Sequence, residues 1–106
     1  MVSRGEVWLA TLDPTVGSEI RKTRPCLVVS PDDLNDHLRT VLVAPMTSGS
    51  TPARFRVAIA FQGTSGLVLP EQSRALDKRR LVKRLGRIDD GALAAVLEVL
   101  RSLFAE

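Results

Sequence analysis

The sequence predicts a mainly β fold: a small, curled antiparallel sheet or barrel with an amphipathic helix at the C-terminus. Two observations support this prediction. Short runs of strand-forming residues, each ended by a turn-forming residue, occupy the first two-thirds of the chain. Towards the C-terminus, apolar side chains instead recur at helical spacing. Several short strands followed by one amphipathic helix are typical of such a fold.

The strand predictions depend on β-branched and aromatic runs bounded by proline, glycine, serine or aspartate. The predicted strands are Val7–Leu12, Cys26–Ser30, Thr40–Met46, Arg54–Phe61, Leu67–Leu69 and Arg84–Ile88. The fourth run alternates, which indicates two distinct faces. One face is formed by Phe55, Val57, Ile59 and Phe61, and the other by Arg54, Arg56, Ala58 and Ala60.

Helix signals are fewer. Ser30 as N-cap, followed by proline and two aspartates, predicts a short helix that ends near Leu38. The segment Lys78–Lys83 is predicted to form one or two basic turns. The strongest prediction is a C-terminal helix with Asp89 as its N-cap. Its apolar stripe consists of Leu93, Val96, Leu97, Leu100, Leu103 and Phe104.

Length and composition limit the possible functions. The 106 residues predict one domain, spanning 1–106. A formal net charge of +3 and a pI of about 9.8 suit a polyanionic partner such as nucleic acid, without requiring one. Cys26 is the only cysteine, so we expect no internal disulfide, no metal site and no cofactor. The absence of a signal peptide or bilayer-length apolar run predicts a cytoplasmic protein without a membrane partner.

Common enzyme signatures are missing from the sequence. No glycine-rich loop has the lysine and the strand-to-helix context that phosphate binding requires. His37 is the only histidine, so one chain cannot hold a histidine-based triad or a two-histidine ribonuclease site. We interpret His37 as a solvated helix residue.

Two polar segments, Asp13–Pro25 and Pro45–Pro52, are the candidate functional loops, because long loops in a compact domain are usually functional. If the second and third strands are antiparallel neighbours, Arg24 and Thr47 lie side by side. Arginine offers a permanent cation and a planar donor fork for phosphate oxygens. The hydroxyls of Thr47 and Ser48 can donate to phosphate or orient a ribose 2′-hydroxyl.

This pair suits metal-independent RNA cleavage, in which the 2′-hydroxyl attacks the adjacent phosphorus. One alternative stays open at this point: Arg24 pairs with Glu19, and Thr47 simply ends a strand. A further candidate segment is Leu69–Leu81, where Glu71, Gln72 and Arg74 are placed to reach RNA. The basic residues that follow either attract the phosphate backbone or form a solvated face. They are Lys78, Arg79, Arg80, Lys83, Arg84 and Arg87.

Several of these segments together resemble the MazF/PemK toxins of type II toxin–antitoxin systems. The matching motifs are Arg4-Gly5-Glu6-Val7-Trp8, Leu12-Asp13-Pro14-Thr15, Gly17-Ser18-Glu19, Lys22-Thr23-Arg24-Pro25, Val43-Ala44-Pro45-Met46-Thr47-Ser48 and Glu71–Leu81. Each motif alone is weak, but their order and spacing match over nearly the whole chain. The resemblance implies an SH3-like barrel, a homodimer with a shared RNA groove, and a cognate antitoxin that blocks this groove.

The resemblance also implies sequence-specific cleavage of single-stranded RNA, chiefly mRNA, to 2′,3′-cyclic phosphate and 5′-hydroxyl ends, with inhibition of growth. It assigns catalytic roles to Arg24 and Thr47, and we add Glu19 as a candidate for proton removal. The substrate-binding candidates are Ser18, Thr23, Ser48, Arg54, Phe55, Glu71, Gln72 and Arg74. One branch of the family has an arginine and an aspartate, in acid and base roles, where this chain has Leu69 and Glu71. Glu71 is therefore the other candidate base.

Two other functions remain possible from the sequence. Toxins of the same fold class poison DNA gyrase and cut no RNA, but their C-terminal contact residues are not the pattern found here. The chain ends Leu103-Phe104-Ala105-Glu106 and retains the Thr-Arg-Pro and Pro-Met-Thr-Ser motifs. A relative that binds RNA without cutting it is the second alternative.

Overall fold

The computed structural model describes residues 1–106. In chain order, the elements are β1 (Glu6–Thr11), β2 (Thr23–Val28), α1 (Asp32–His37), β3 (Thr40–Thr47), β4 (Val57–Phe61), β5 (Thr64–Val68), a 3₁₀ turn (Pro70–Gln72), β6 (Arg74–Asp77), a second 3₁₀ turn (Lys78–Arg80), β7 (Leu81–Arg87) and α2 (Asp90–Phe104). The fold is mainly β with a C-terminal helix, as the sequence predicted. Neither α1 nor α2 combines the length and the apolar character that a membrane-spanning helix needs.

The strands form one antiparallel sheet in the order β4-β5-β3-β2-β1-β7. β3 is the central strand on which the remaining pairing depends, because its first half pairs with β6 and its last two residues pair with β5. The sheet curls until its two ends meet. At this junction the Gln62 side chain donates to the Leu85 carbonyl, and Phe61 packs beside Gly86, whose φ of +154° favours glycine.

Apolar side chains of the curled sheet form two clusters, one on each face. One cluster is built from Val2, Ala10, Leu12, Cys26, Val28, Val41, Val43 and Leu76. The second cluster receives side chains from β4 and β5 at one end of the sheet and from β7 at the other, which places it inside the curl, and α2 packs against it with Val96 fully buried. Because the curl buries both faces of β2 and β3, the polar residues at the ends of these strands lie at its mouth.

The C-terminal helix begins where the sequence placed it. Asp89 is the N-cap, and its carboxylate accepts the Ala92 backbone N–H at 2.9 Å. The apolar stripe is only partly covered: Leu93, Leu97 and Leu100 are half-buried, while Leu103 and Phe104 are exposed. The stripe therefore packs against the sheet along the first turns of α2, and its side chains in the last turn are exposed to solvent.

Some element predictions were wrong. Ser30 is not the cap of α1, because Pro31 occupies that position and the buried Ser30 hydroxyl bonds instead to Asn35. The strand predicted from Arg54 begins at Val57, since the Arg56 N–H bonds to the Ala53 carbonyl and forms a turn. β6 was not predicted at all: it is short and has no alternating apolar pattern to reveal it.

Candidate active site

The ends of β2 and β3 bring the two principal candidates together. The register pairs Cys26 with Pro45, which places Arg24 beside Thr47 at the mouth of the curl. Arg24 Nη1 donates to Thr47 Oγ1 at 3.4 Å. The predicted proximity of these two residues is confirmed.

Both side chains are held in place by further hydrogen bonds. Arg24 Nε donates to the Arg21 carbonyl at 2.9 Å, which directs the guanidinium along the loop between β1 and β2. Thr47 Oγ1 also accepts the Gly49 N–H at 3.2 Å. The pairing of Arg24 with Glu19 that the sequence left open is not formed: Glu19 Oε1 accepts the Val16 N–H instead. Arg24 thus carries no carboxylate partner and its charge stays available.

Gly66 allows β5 to approach Thr47 unusually closely. A Cβ at position 66 would lie 2.9 Å from the Thr47 carbonyl oxygen and 3.4 Å from its carbonyl carbon. Real Cβ atoms do not approach backbone atoms this closely, so this position requires glycine on steric grounds. No sequence pattern indicates this role, because it depends on how two strands pack against each other.

Two clefts hold most of the predicted site residues. The first, here the Arg24 cleft, has a volume of about 290 Å³ and includes Arg24, Thr47, Ser48 and Gly66 in its walls. The second, here the Glu19 cleft, has a volume of about 620 Å³. Its polar lining consists of Ser18, Glu19, Glu71, Gln72, Ser73 and Arg74. The predicted site residues are therefore divided between two clefts, and Glu19 is not in contact with Arg24.

Three predicted substrate-binding residues lie outside both clefts. Thr23 is exposed at the start of β2, and Arg54 and Phe55 are exposed in the turn before β4. Phe55 retains 40% of its possible exposure. Arg56, directly after it, was assigned no role from the sequence, yet its guanidinium lies 2.7 Å from Glu71.

The loop between β1 and β2 is fixed by the segment that follows β5. Gln72 Oε1 accepts the Ile20 N–H at 2.7 Å, and Arg74 Nη1 donates to the Leu12 carbonyl at 3.1 Å. These two candidates therefore shape the Glu19 cleft through the backbone of the loop. Part of their hydrogen-bonding capacity is therefore used within the fold.

Most of the basic stretch is structural. Four of its side chains donate to carbonyl oxygens or carboxylates elsewhere in the fold: Lys78 to Asn35, Arg80 to Asp13, Arg84 to Glu6 and Arg87 to Arg4. Arg79 pairs locally with Asp77. Lys83 is exposed. The charges still contribute to the positive field of the molecule, but neither interpretation from the sequence foresaw that they fasten the second 3₁₀ turn and β7 to the rest of the fold.

Two buried groups, one at the start of β1 and one in β2, have altered acidity. Burial disfavours the Glu6 carboxylate, but the Ser3 N–H, the Trp8 indole and Arg84 all donate to it, and together they lower its pKa. Burial raises the pKa of the Cys26 thiol to about 12, despite the opposing charges of Arg74 and Arg24. A protonated, fully buried thiol is not a nucleophile.

The arrangement supports stabilisation of charge on a phosphate. A guanidinium without a carboxylate partner stands beside a hydroxyl, with a second hydroxyl from Ser48 in the same cleft. Such preorganised donors favour an oxyanion that develops during a reaction. His37 lies elsewhere, exposed on α1 beside Asp33, as interpreted from the sequence. No group of three His, Cys, Asp or Glu side chains is positioned to hold a metal ion.

The chain matches known proteins along almost its whole length. Residues 3–104 match the family model described as PemK-like, MazF-like toxin of type II toxin-antitoxin system. The chain is 41% identical to endoribonuclease PemK of Escherichia coli, over 96% of this chain and 81% of that protein.

Solved structures agree with this match. The chain superposes on MazF from Deinococcus radiodurans with a TM-score of 0.87 and 32% identity, over 96% of this chain and 94% of that one. It superposes on a MazE–MazF structure from the same organism with a TM-score of 0.80 and 28% identity, over 98% of this chain and 95% of that one.

Proposed function

The chain belongs to the PemK-like, MazF-like toxin family, and we propose that this endoribonuclease toxin cleaves single-stranded RNA, chiefly mRNA, at specific sequences without a metal ion. Attack by the 2′-hydroxyl on the adjacent phosphorus leaves a 2′,3′-cyclic phosphate and a 5′-hydroxyl end. The matched family model covers residues 3–104, so we treat 1–106 as one toxin domain.

The observation that carries this proposal is the Arg24–Thr47 contact at the mouth of the curl. Charge accumulates on the non-bridging phosphate oxygens as the 2′-oxygen attacks. A guanidinium can donate two parallel hydrogen bonds to these oxygens, and Thr47 can donate a third. In this scheme Arg24 supplies the main stabilisation, and Thr47, together with Ser48, orients the reacting groups.

Proton removal from the 2′-hydroxyl needs a separate group. Glu19 is our candidate, because it is an exposed carboxylate on the loop that also supplies the Arg21 carbonyl bound by Arg24. It lines the neighbouring cleft, and the phosphodiester chain would then pass from one cleft into the other. Ser18, Gln72 and Arg74 in that cleft would contact the flanking nucleotide.

The partners follow from the family. We propose a homodimer whose subunits share the RNA groove, and a cognate antitoxin that covers it. The MazE–MazF structure from Deinococcus radiodurans is a relative of this chain at 28% identity and supports such a partner. We also propose a cytoplasmic location, which suits a single free cysteine, Cys26.

The test is cleavage of a defined single-stranded RNA mixture by the purified protein in excess EDTA, with a matched duplex as the control substrate. We expect cleavage of the single strands, 5′-hydroxyl ends, and twice the chain mass in sedimentation at micromolar concentration. Activity that disappears in EDTA and returns with magnesium would overturn the metal-independent mechanism. An intact RNA mixture would overturn the function.

A further inference from the structure

An ion pair fastens the turn before β4 to the 3₁₀ turn Pro70–Gln72. Arg56 Nη2 lies 2.7 Å from Glu71 Oε2, and Arg56 Nε donates to the same oxygen at 2.9 Å. The remaining nitrogen, Nη1, donates to the Thr51 carbonyl at 2.9 Å. The two side chains are only 20% and 25% exposed, so water and salt screen this pair less than a surface pair.

The pair controls the path of residues 48–55, here called the 48–55 loop. This loop starts directly after Thr47 and ends directly before Arg56, and no strand pairing supports it. Its first end is held at the Arg24–Thr47 contact. At its other end, Arg56 binds the loop's own Thr51 carbonyl and joins it to Glu71. Removing the Arg56 side chain would therefore free one end of the loop and leave the other in place.

The same 3₁₀ turn also holds a second loop, the one between β1 and β2. Glu71 binds the 48–55 loop through Arg56, while the next residue, Gln72, binds the β1–β2 loop through the Ile20 N–H. Both loops carry substrate-binding candidates. One turn of the chain is therefore the common anchor of the two loops that carry these candidates.

We propose that Arg56 and Glu71 are positioning residues that determine which nucleotides the site accepts, by fixing the 48–55 loop. The inference depends on the proposed RNA cleavage. The loop presents Ser48 in the Arg24 cleft and the exposed ring of Phe55 at its far end. The Arg56 guanidinium lies 5.7 Å from the centre of that ring, so its anchorage also orients the ring. Aromatic rings of this kind bind bases by stacking.

This assignment separates Glu71 from the role of general base. Its Oε2 accepts a hydrogen bond from Arg56 Nε at 2.9 Å and lies 2.7 Å from Nη2, so this oxygen is already engaged by the guanidinium. The geometry instead suits a latch between two chain segments.

The experiment compares Arg56→Ala and Glu71→Gln with the wild type by sequencing 5′-hydroxyl ends from one defined RNA mixture. We expect both variants to shift the relative use of cleavage sites in the same way, on the order of tenfold at the most affected sites. The double variant should shift them no further, because either change opens the same latch. The acid limb of the pH–rate profile should remain in Glu71→Gln. Glu98→Gln is the matched control: it loses the same charge from an exposed pair that is also 2.7 Å long.

A second measurement is independent of activity. Amide hydrogen exchange over the 48–55 loop should accelerate in Arg56→Ala and Glu71→Gln but not in Glu98→Gln. Unchanged exchange together with unchanged site use would overturn the latch. A second pair of results would also overturn the latch. In that case Glu71→Gln abolishes cleavage together with the acid limb of the pH–rate profile, while Arg56→Ala still cuts at the wild-type sites. If the wild type cuts no RNA, the proposed function fails, and the exchange measurement alone decides the latch.

Discussion

The Arg24 guanidinium reaches the Thr47 hydroxyl across the β2–β3 strand pair, with Nη1 and Oγ1 3.4 Å apart. The contact is long for a hydrogen bond, so a shift of a few tenths of an ångström would break it. The position of Thr47 depends in turn on β5, which packs directly against its carbonyl group at Gly66. The site is thus sensitive to a residue that has no side chain.

Gly66→Ala should therefore impair cleavage more than RNA binding. The added methyl would meet the Thr47 carbonyl oxygen at 2.9 Å, so the backbone at Gly66 or Thr47 must shift to relieve the overlap, and a shift of Thr47 changes its distance to Arg24. Overpacking of this kind costs about 1–3 kcal/mol, and we expect single-turnover cleavage to fall roughly tenfold or more for a loss of catalytic geometry. Rates, RNA affinity and melting temperature measured together check this.

Gly91→Ala provides the matched control. Its added methyl meets only one side-chain oxygen of the capping Asp89, at 3.3 Å, in the first turn of α2 and away from the Arg24 cleft. Alanine also favours a helix over glycine. Its cleavage rate should equal that of the wild type. A Gly66→Ala protein that folds normally and cleaves normally would show that the close approach of β5 is irrelevant to the site.

The buried Glu6 carboxylate should make stability depend on acid pH. Its folded-state pKa is lower than the ordinary 4.5, although burial alone would raise it, because the Ser3 N–H, Trp8 and Arg84 all donate to it. Its stabilising contribution is therefore present above about pH 4.5 and is lost as pH falls through the lowered folded-state pKa. Glu6→Gln should melt lower than the wild type at neutral pH, and the difference should shrink below pH 4.5. A pH series of melting temperatures tests this, and a gap that stays constant in acid would refute it.

The destabilisation caused by a charge introduced into α2 should depend on how deeply each position is buried. Val96→Asp places a charge in a fully buried position, where an unpaired charge costs several kcal/mol. Leu97→Asp should destabilise the protein less, because Leu97 is only half-buried. Ala95→Asp, at an exposed position of the same helix, is the control and should melt close to the wild type. Equal melting temperatures for the three variants would show that the helix does not pack as described.

The sequence was sufficient to predict the Arg24–Thr47 contact. In adjacent antiparallel strands, the start of one lies beside the end of the other, and proline and polar residues marked both ends. The α2 helix was equally accessible, because a capping aspartate and a stripe at helical spacing are local signals.

The Arg56–Glu71 pair could not be predicted from the sequence, although both residues lie in segments that the sequence analysis named. The pair exists because the chain turns at Ala53–Arg56, and the alternating pattern there predicted a straight strand instead. The basic stretch was misjudged for a related reason. Its partners are mostly backbone carbonyls, such as those of Asn35 and Asp13, and every residue type carries one. Composition therefore cannot reveal which arginine is structural.

The most direct test of the site is Arg24→Ala. If Arg24 stabilises charge that grows during the reaction, removal of its side chain should slow the chemical step. We expect single-turnover cleavage to decrease by a factor on the order of 10²–10³, the usual effect of removing one such donor. RNA affinity should fall much less, because Arg74 and the general positive charge still attract the backbone. Thr47→Ala should act in the same direction but more weakly, since a hydroxyl carries no full charge.

The double variant Arg24→Ala/Thr47→Ala should lose less than the product of the two single defects, because both side chains serve one transition state. Melting temperature is the necessary control, since Arg24 also binds the Arg21 carbonyl and holds the loop. If Arg24→Ala unfolds, Arg24→Lys separates the roles: lysine keeps the charge but lacks the planar fork. A folded Arg24→Ala or Arg24→Lys protein that binds RNA and cleaves at the wild-type rate would place the active site elsewhere. Partial activity in Arg24→Lys would instead show that the charge matters more than the two parallel hydrogen bonds.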